Sequence, residues 1–218
     1  MVDFQSRDTG RRGGTDDASE DADDADHGDD EHDHGDGHGH DHEDHGHDHD
    51  HEDHGHHQHD VETLSVAILT ISSSRTREND PSGDAIEELA ANEGHDVVTR
   101  EIVGDDYDVV QQSLDALAGR SDVDVIVTTG GTGVTPDDVT VEAATPLFDK
   151  ELPGFGERFR ALSVEDIGSR VVATRATAGV VDGVPVFCLP GSESAVRLGT
   201  EEIILDVAGH VAGLARRD

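Results

Sequence analysis

The chain has a single Cys, a single Lys (Lys150) and no long apolar run. One cysteine excludes an internal disulfide framework and fits a reducing cytosol. Cys188 lies in the apolar stretch Val186-Phe-Cys-Leu189, which predicts a buried structural thiol rather than a nucleophile. The N-terminus, Met1-Val-Asp-Phe-Gln-Ser-Arg, lacks the apolar core of a secretion signal, and no segment approaches transmembrane length. The expectation is a soluble cytoplasmic protein with no membrane partner. Positive charge is scarce: 15 Lys+Arg stand against 51 Asp+Glu, a formal net charge of −36, which argues against a nucleic-acid partner. Few Lys with many Asp suggests a halophilic protein, made for a concentrated-salt cytoplasm where the Debye length shrinks to about 3 Å at 1 M. A merely acidic protein is the alternative.

Composition divides the chain in two. Residues 1–60 hold 22 Asp+Glu, three Arg and 14 His, while residues 61–218 hold 29 Asp+Glu, 12 Lys+Arg and two His. The charges are therefore 3 − 22 = −19 and 12 − 29 = −17, which sum to the total of −36. With almost no large apolar side chains, residues 1–60 cannot offset the entropy of ordering and are expected to be a disordered tail. Residues 61–218 suit one domain with a sizeable core. Within the tail, Asp41-His-Glu-Asp-His-Gly-His47 recurs as Asp50-His-Glu-Asp-His-Gly-His56. Imidazoles at such spacing, here His42, His45, His47, His49, His51, His54 and His56, are expected to bind Ni²⁺, Cu²⁺ or Zn²⁺ with little geometric demand. A solubilising acidic tail is the plainer reading.

Periodicity in the second region alternates strands and helices. Leu64–Ile71 reads as a first strand, followed by a helix capped by Ser82 and stopped by Gly94. Residues 96–103 form a second strand, Tyr107–Leu117 a second helix and Val123–Val127 a third strand. Shorter helices are expected over 153–170. Ala178–Val181 and Val184–Leu189, joined by Asp182-Gly183, predict a hairpin with a type I′ turn. A broken helix closes the chain from about Ser192. The implied fold class is α/β, a mostly parallel sheet with one antiparallel strand.

The stretch Thr128-Thr-Gly-Gly-Thr-Gly-Val-Thr-Pro-Asp-Asp-Val-Thr140 follows the third strand. Its glycines leave backbone amides open to an anionic oxygen, as in phosphate loops, although a plain tight turn uses the same residues. No Gly-Lys-Ser/Thr follows, so it is not a Walker loop, and it lacks the spacing of a dinucleotide fingerprint. Ligands of open α/β sheets bind beyond the carboxyl ends of the strands. Loops 72–83, 104–106 and 130–138 and the turn at Pro190-Gly191-Ser192 fit that description. They offer Ser72, Ser73, Asp80, Ser82, Gly83, Gly130, Gly131, Thr132, Gly133, Gly191 and Ser192 as substrate contacts, with Asp105 and Asp138 as metal candidates. Asp106 and Asp137 leave each carboxylate assignment open by one residue.

These motifs closely resemble the molybdenum-cofactor biosynthesis family of the MoaB/MogA type. Asp80-Pro-Ser-Gly83, Pro153-Gly-Phe-Gly-Glu-Arg-Phe-Arg160, Thr174-Arg-Ala176 and Leu189-Pro-Gly-Ser192 agree in the same order, with Thr174 standing where the family has Ser. The resemblance covers about residues 63–214; the first 60 residues have no counterpart. It implies a three-layer α/β/α sandwich, molybdopterin and ATP as partners, and transfer of AMP from Mg²⁺-bound ATP to the molybdopterin phosphate. It implies catalytic and metal-holding roles for Asp138 and Asp105, and a homotrimer or hexamer that meets later cofactor-assembly proteins. A non-catalytic molybdopterin-binding member with a metal-binding tail is the alternative. Arg175 is expected in an interface or structural ion pair, and Phe155 and Phe159 in packing.

Overall fold

The computed structural model describes residues 60–217. The disordered tail and its metal-binding histidines, including His42 to His56, are expectations that lie outside the described residues. The described chain runs β1 (Ser65–Ile71), α1 (Pro81–Asn92), β2 (Asp96–Val103), α2 (Tyr107–Ala118), β3 (Val125–Thr129), α3 (Thr140–Ala144) and β4 (Lys150–Glu151). It continues with α4 (Pro153–Ile167), β5 (Thr177–Val181), β6 (Val184–Leu189), α5 (Glu193–Gly199) and α6 (Leu205–Ala215). A six-stranded sheet has the order β2-β1-β3-β6-β5-β4. Strands β2, β1, β3 and β6 are parallel, and β5 runs against both of its neighbours. The sheet is thus mostly parallel with one antiparallel strand.

Side chains of a strand alternate between faces, and β1 shows it. Val66 and Ile68 face a core closed by Ala85 and Ile86 of α1, Phe155 and Phe159 of α4, and Ile203 to Ala212 at the C-terminus. Ala67, Leu69 and Ile71 face the opposite core, closed by Val110 and Leu114 of α2 and by Ala143 and Ala144 of α3. Helices therefore cover both faces, giving three layers. Phe155 meets Phe187 edge-on at 5.2 Å between ring centroids, so Phe155 and Phe159 are packing residues of the core. Cys188 is fully buried, and burial pushes its thiol up to about 11, which leaves it unreactive as a thiolate at neutral pH.

Several boundaries differ from the sequence reading. The cap of α1 is Asp80, whose carboxylate accepts from the Gly83 amide at 3.1 Å; Pro81 occupies the first turn. Ser82 is buried and its hydroxyl is used elsewhere. The short α3 and β4 lacked enough residues to show a period. Residues 153–167 form one helix, followed by a 3₁₀ segment over Gly168–Ala173. The hairpin turn has φ of 48° at Asp182 and 80° at Gly183, as a type I′ turn requires. The break in the last helix is a π-helical turn over Thr200–Ile204. Among the described residues no helix is long and apolar enough to cross a membrane.

Candidate functional site

The chain passes from β1 outward to β2 and then back across to β3 on the other side of β1. This reversal opens a crevice beyond the carboxyl ends of β1 and β3, the usual binding place of such sheets. The loops after β1, β2, β3 and β6 all lie at those ends.

The glycine-rich loop leaves β3 with φ of 102° at Gly130 and 65° at Gly131, a left-handed path that disfavours any side chain. A Cβ on Gly130 would lie 2.2 Å from the Ile71 carbonyl oxygen, and one on Gly131 would lie 2.3 Å from Thr140 Oγ1. Thr140 fastens the loop from the far side, donating its hydroxyl to the Gly130 carbonyl at 2.8 Å and its amide to the Gly131 carbonyl at 2.9 Å. Next to it, Gly191 comes so close that its Cβ position is 3.2 Å from Gly130 Cα. The two turns therefore touch backbone to backbone.

Asp138 sits at the rim of this loop and is half-buried. Its Oδ2 accepts from the Thr135 amide at 2.8 Å and the Thr135 hydroxyl at 2.7 Å. Burial, the largest influence, opposes its charge, but hydrogen bonds from Thr135 and the Gly133 amide, with the nearby Arg175, hold it below the usual carboxylate range. Asp138 is thus ionised at neutral pH. Arg175 clamps the same loop: its Nε donates to the Gly133 carbonyl at 2.6 Å, one terminal nitrogen to the Asp138 carbonyl at 3.2 Å, and the fork grips Glu142. This is the structural ion pair expected of Arg175. Val134, Thr135, Val139, Glu142 and Arg175 line an open depression of about 400 Å³ beside Asp138.

Asp105 and Asp106 have distinct places. Asp106 caps α2, accepting from the Val109 amide at 3.1 Å. Asp105 ties the β2 loop to the β1 loop, accepting from the Ser73 amide at 2.7 Å while Ser73 Oγ accepts from the Asp105 amide at 3.3 Å. Ser72 is half-buried, with its hydroxyl 3.3 Å from that of Ser74, and Ser73 is exposed. Asp137 is exposed, whereas Asp138 is built into the loop.

Asp80, Ser82 and Gly83 correct the sequence reading, because the chain itself uses their polar groups. Asp80 is sealed, and its carboxylate accepts from Thr70 Oγ1 at 2.7 Å, Arg75 at 2.9 Å and Arg100 at 2.9 Å. A Cβ on Gly83 would fall 2.2 Å from Asp80 Oδ2 and 2.6 Å from Arg100 Nε, so glycine here makes room for that ion pair. Ser82 donates to the Gly191 carbonyl at 2.9 Å. Gly130 and Thr132 are buried too, while Gly131, Gly133 and Gly191 are half-buried and Ser192 is exposed. Three residues were missed as parts of the site's frame: Arg75, Arg100 and Thr135. The signal for Arg100 was present, a cation in a strand facing acids three apart on a helix, Asp84 and Glu87.

A divalent cation implied by the resemblance has a partial donor set in these loops. Asp138 and Asp105 are hard oxygen donors, but among the described residues no group of three or more His, Cys, Asp or Glu gathers as a metal cage. That pattern fits Mg²⁺, which takes one or two carboxylates and completes its shell with waters and substrate phosphates. It does not fit a tightly held structural metal.

Comparison with known proteins agrees with this architecture. Residues 67–210 match the family described as "Probable molybdopterin binding domain". The Molybdenum cofactor biosynthesis protein B of Halalkalibacterium halodurans is 48% identical over 151 residues, covering 69% of this chain and 89% of that protein. Its counterpart in Escherichia coli K12 is 43% identical over 139 residues, covering 64% and 82%. A crystal structure of Molybdenum cofactor biosynthesis protein B superposes with a TM-score of 0.69 at 44% identity, covering 72% of this chain and 99% of that one. The tungsten cofactor synthesizing protein MoaB of Pyrococcus furiosus gives a TM-score of 0.64 at 43% identity, covering 72% and 99%. With touching glycine turns, an ionised Asp138 and this extent of likeness, the chain belongs to the MoaB family of molybdenum-cofactor biosynthesis proteins.

Proposed function

We propose that the protein is a molybdopterin adenylyltransferase of molybdenum or tungsten cofactor synthesis, transferring AMP from Mg²⁺-bound ATP to the molybdopterin phosphate. The observation that carries this reading is the meeting of the Gly130–Gly133 and Pro190–Ser192 turns beside the ionised Asp138. A phosphate monoester is mostly dianionic at pH 7, with a second pKa of about 6, so it attacks without a general base. One of its oxygens bonds to the α-phosphorus, the bond to the bridging oxygen breaks, and pyrophosphate leaves with that electron pair. The site's work is then alignment and neutralisation of charge. Open backbone in the two glycine turns would let phosphate oxygens approach closely, Asp138 and Asp105 would hold the cation, and Arg175 keeps the loop in place. Mg²⁺, when bound, offsets the negative charge that shifts between α- and β-phosphate oxygens.

The alternative is a non-catalytic molybdopterin-binding protein whose histidine-rich tail binds divalent metal. It draws support from the histidine repeat over residues 41–56, for which adenylyl transfer has no use. Incubation with molybdopterin and Mg-ATP decides between them. Adenylylated product with stoichiometric pyrophosphate is the expected result; saturable molybdopterin binding without either product supports the alternative.

A further inference from the structure

Arg75 lies in the loop after β1, away from the glycine-rich motif, and its guanidinium bridges two groups. One terminal nitrogen donates to Asp80 Oδ1 at 2.9 Å, and the other to the Gly191 carbonyl at 2.8 Å. Ser82 Oγ donates to that same carbonyl at 2.9 Å, and Thr129 Oγ1 donates to the preceding carbonyl, Pro190, at 3.1 Å. Donors from the β1 loop, α1 and β3 thus hold both carbonyls of this turn.

In a trans peptide the C=O of one residue and the N–H of the next point in opposite directions. Holding the Gly191 carbonyl against Arg75 and Ser82 therefore turns the Ser192 amide away from α1, on the side where Ser192 is exposed. Holding the Pro190 carbonyl against Thr129 likewise turns the Gly191 amide away from β3. A turn with glycine at its centre flips its peptides easily unless something fixes them. A flipped Gly191–Ser192 peptide would present a carbonyl oxygen, which repels phosphate.

We propose that Arg75 is a positioning residue that locks the Gly191–Ser192 peptide with its N–H directed outward as a donor to a phosphate oxygen of the substrate. The bridge suits arginine, because a planar fork reaches a carboxylate and a carbonyl at once, while a lysine ammonium acts as a single point. Asp80 anchors the fork rigidly, since Arg100 and Thr70 hold its carboxylate from other directions. This inference rests on the reading of the site as a phosphate-binding one.

The test follows the Ser192 amide by ¹⁵N NMR while Mg-ATP or inorganic phosphate is titrated into the full chain, with AMP transfer by the wild type measured in parallel. In the wild type the Ser192 signal is expected to shift with both ligands. Arg75→Gln should weaken the apparent phosphate affinity by about tenfold, the scale of one charge-assisted hydrogen bond. Its fold should survive, because Asp80 keeps Arg100, Thr70 and the Gly83 amide. Arg77→Gln removes the same charge from the same loop at an exposed site and should leave the affinity unchanged. Arg75→Lys should restore stability but not affinity; full recovery of affinity would mean that only the charge beside Asp80 matters, and would overturn the proposal. If Arg75→Gln does not fold, Arg75→Lys and Ser82→Ala, which removes the second donor to Gly191, carry the test, and unchanged affinity in both overturns it. A wild-type Ser192 amide silent to both ligands overturns it as well. Phosphate binding coupled to Arg75 without AMP transfer would instead remove the adenylyltransferase reading and leave this one standing.

Discussion

Asp80 and Asp138 belong to loops that close on the contact between Gly130 and Gly191, and both keep their charge, but by opposite means. Asp80 has no exposed side-chain surface and is surrounded by Thr70, Arg75, Arg100 and the Gly83 amide. Every direction from its carboxylate leads back into the protein. Asp138 is half-buried, held at one oxygen by Thr135, and borders an open depression. A carboxylate satisfied on all sides fixes other residues; one satisfied on one side has capacity left for a ligand. By that difference Asp80 belongs to the frame while Asp138 keeps room for a ligand, although both stand in motifs that match one family.

The largest effect should come from breaking the frame. Asp80→Asn removes the fully buried one of the three carboxylates around Arg100 and leaves that side chain, 2% exposed, with only the more exposed Asp84 and Glu87. Removing one partner of a buried pair costs about 3–5 kcal/mol, because the remaining charge stays desolvated. Urea unfolding in high salt measures it, and a loss below about 1 kcal/mol would erase the contrast with Asp138.

Next in size is a loss that falls on turnover rather than on folding. Asp138→Asn should lower AMP transfer by at least about 10²-fold, or about 2.7 kcal/mol of barrier, with molybdopterin binding changed only a few-fold. Unfolding midpoints should move little, since Asn can still accept from Thr135. Near-normal turnover would pass the metal-orienting role to Asp105. Gly131→Val is a poor substitute as a probe, because its side chain would collide with Thr140 and damage the loop itself.

How far the sequence could be read follows the same division. The apolar run of the first strand, the Asp182-Gly183 turn and the broken last helix are local signals, and each appears in the structure where expected. The glycine-rich loop was legible as a tight turn after a strand, because clustered glycines allow a left-handed path without steric cost. Asp80 was not legible as a frame residue, because its partners Thr70 and Arg100 lie 10 and 20 residues away and meet it only after β1 and β2 pair. Ser82 likewise looked like a helix cap until the turn at Gly191, 109 residues on, was brought over it. Helix α3 and strand β4 are too short for any period to emerge.

Acid should separate the two carboxylates further. For Asp80, burial is the largest influence and raises the pKa, yet hydrogen bonds from Thr70 and Arg100 overcome it and lower the value from 3.8 to about 2. The folded form then binds this proton less tightly than the unfolded chain. The stabilisation is complete above the unfolded value and disappears as pH falls through the folded one. A shift of that size corresponds to about 2 kcal/mol, at about 1.36 kcal/mol per unit. Unfolding free energies measured between pH 5 and pH 2 should decline by about that amount more in the wild type than in Asp80→Asn. Parallel curves for the two proteins would show that Asp80 is not held as its contacts indicate. The Asp138 pKa is lowered too, so Asp138→Asn should flatten the curve in the same direction but by less, since Asp138 is open to solvent on one side.

The smallest effect is expected at the ion pair that mirrors Arg100–Asp80 on the other side of the site. The Arg175 and Glu142 side chains are 32% and 50% exposed, so water screens their attraction and either charge remains solvated if the other is lost. Glu142→Gln should therefore cost less than about 1 kcal/mol, and less still at high ionic strength. Arg175 would keep its hydrogen bonds to the carbonyls of Gly133 and Asp138, so the loop's path would be preserved. The carboxylate of Glu142 also opposes the charge of Asp138, and neutralising it should lower the Asp138 pKa slightly. Thermal unfolding of Glu142→Gln beside Asp80→Asn at two salt concentrations measures the difference directly. A loss at Glu142 that equalled the loss at Asp80 and ignored salt would show that burial does not govern the two pairs.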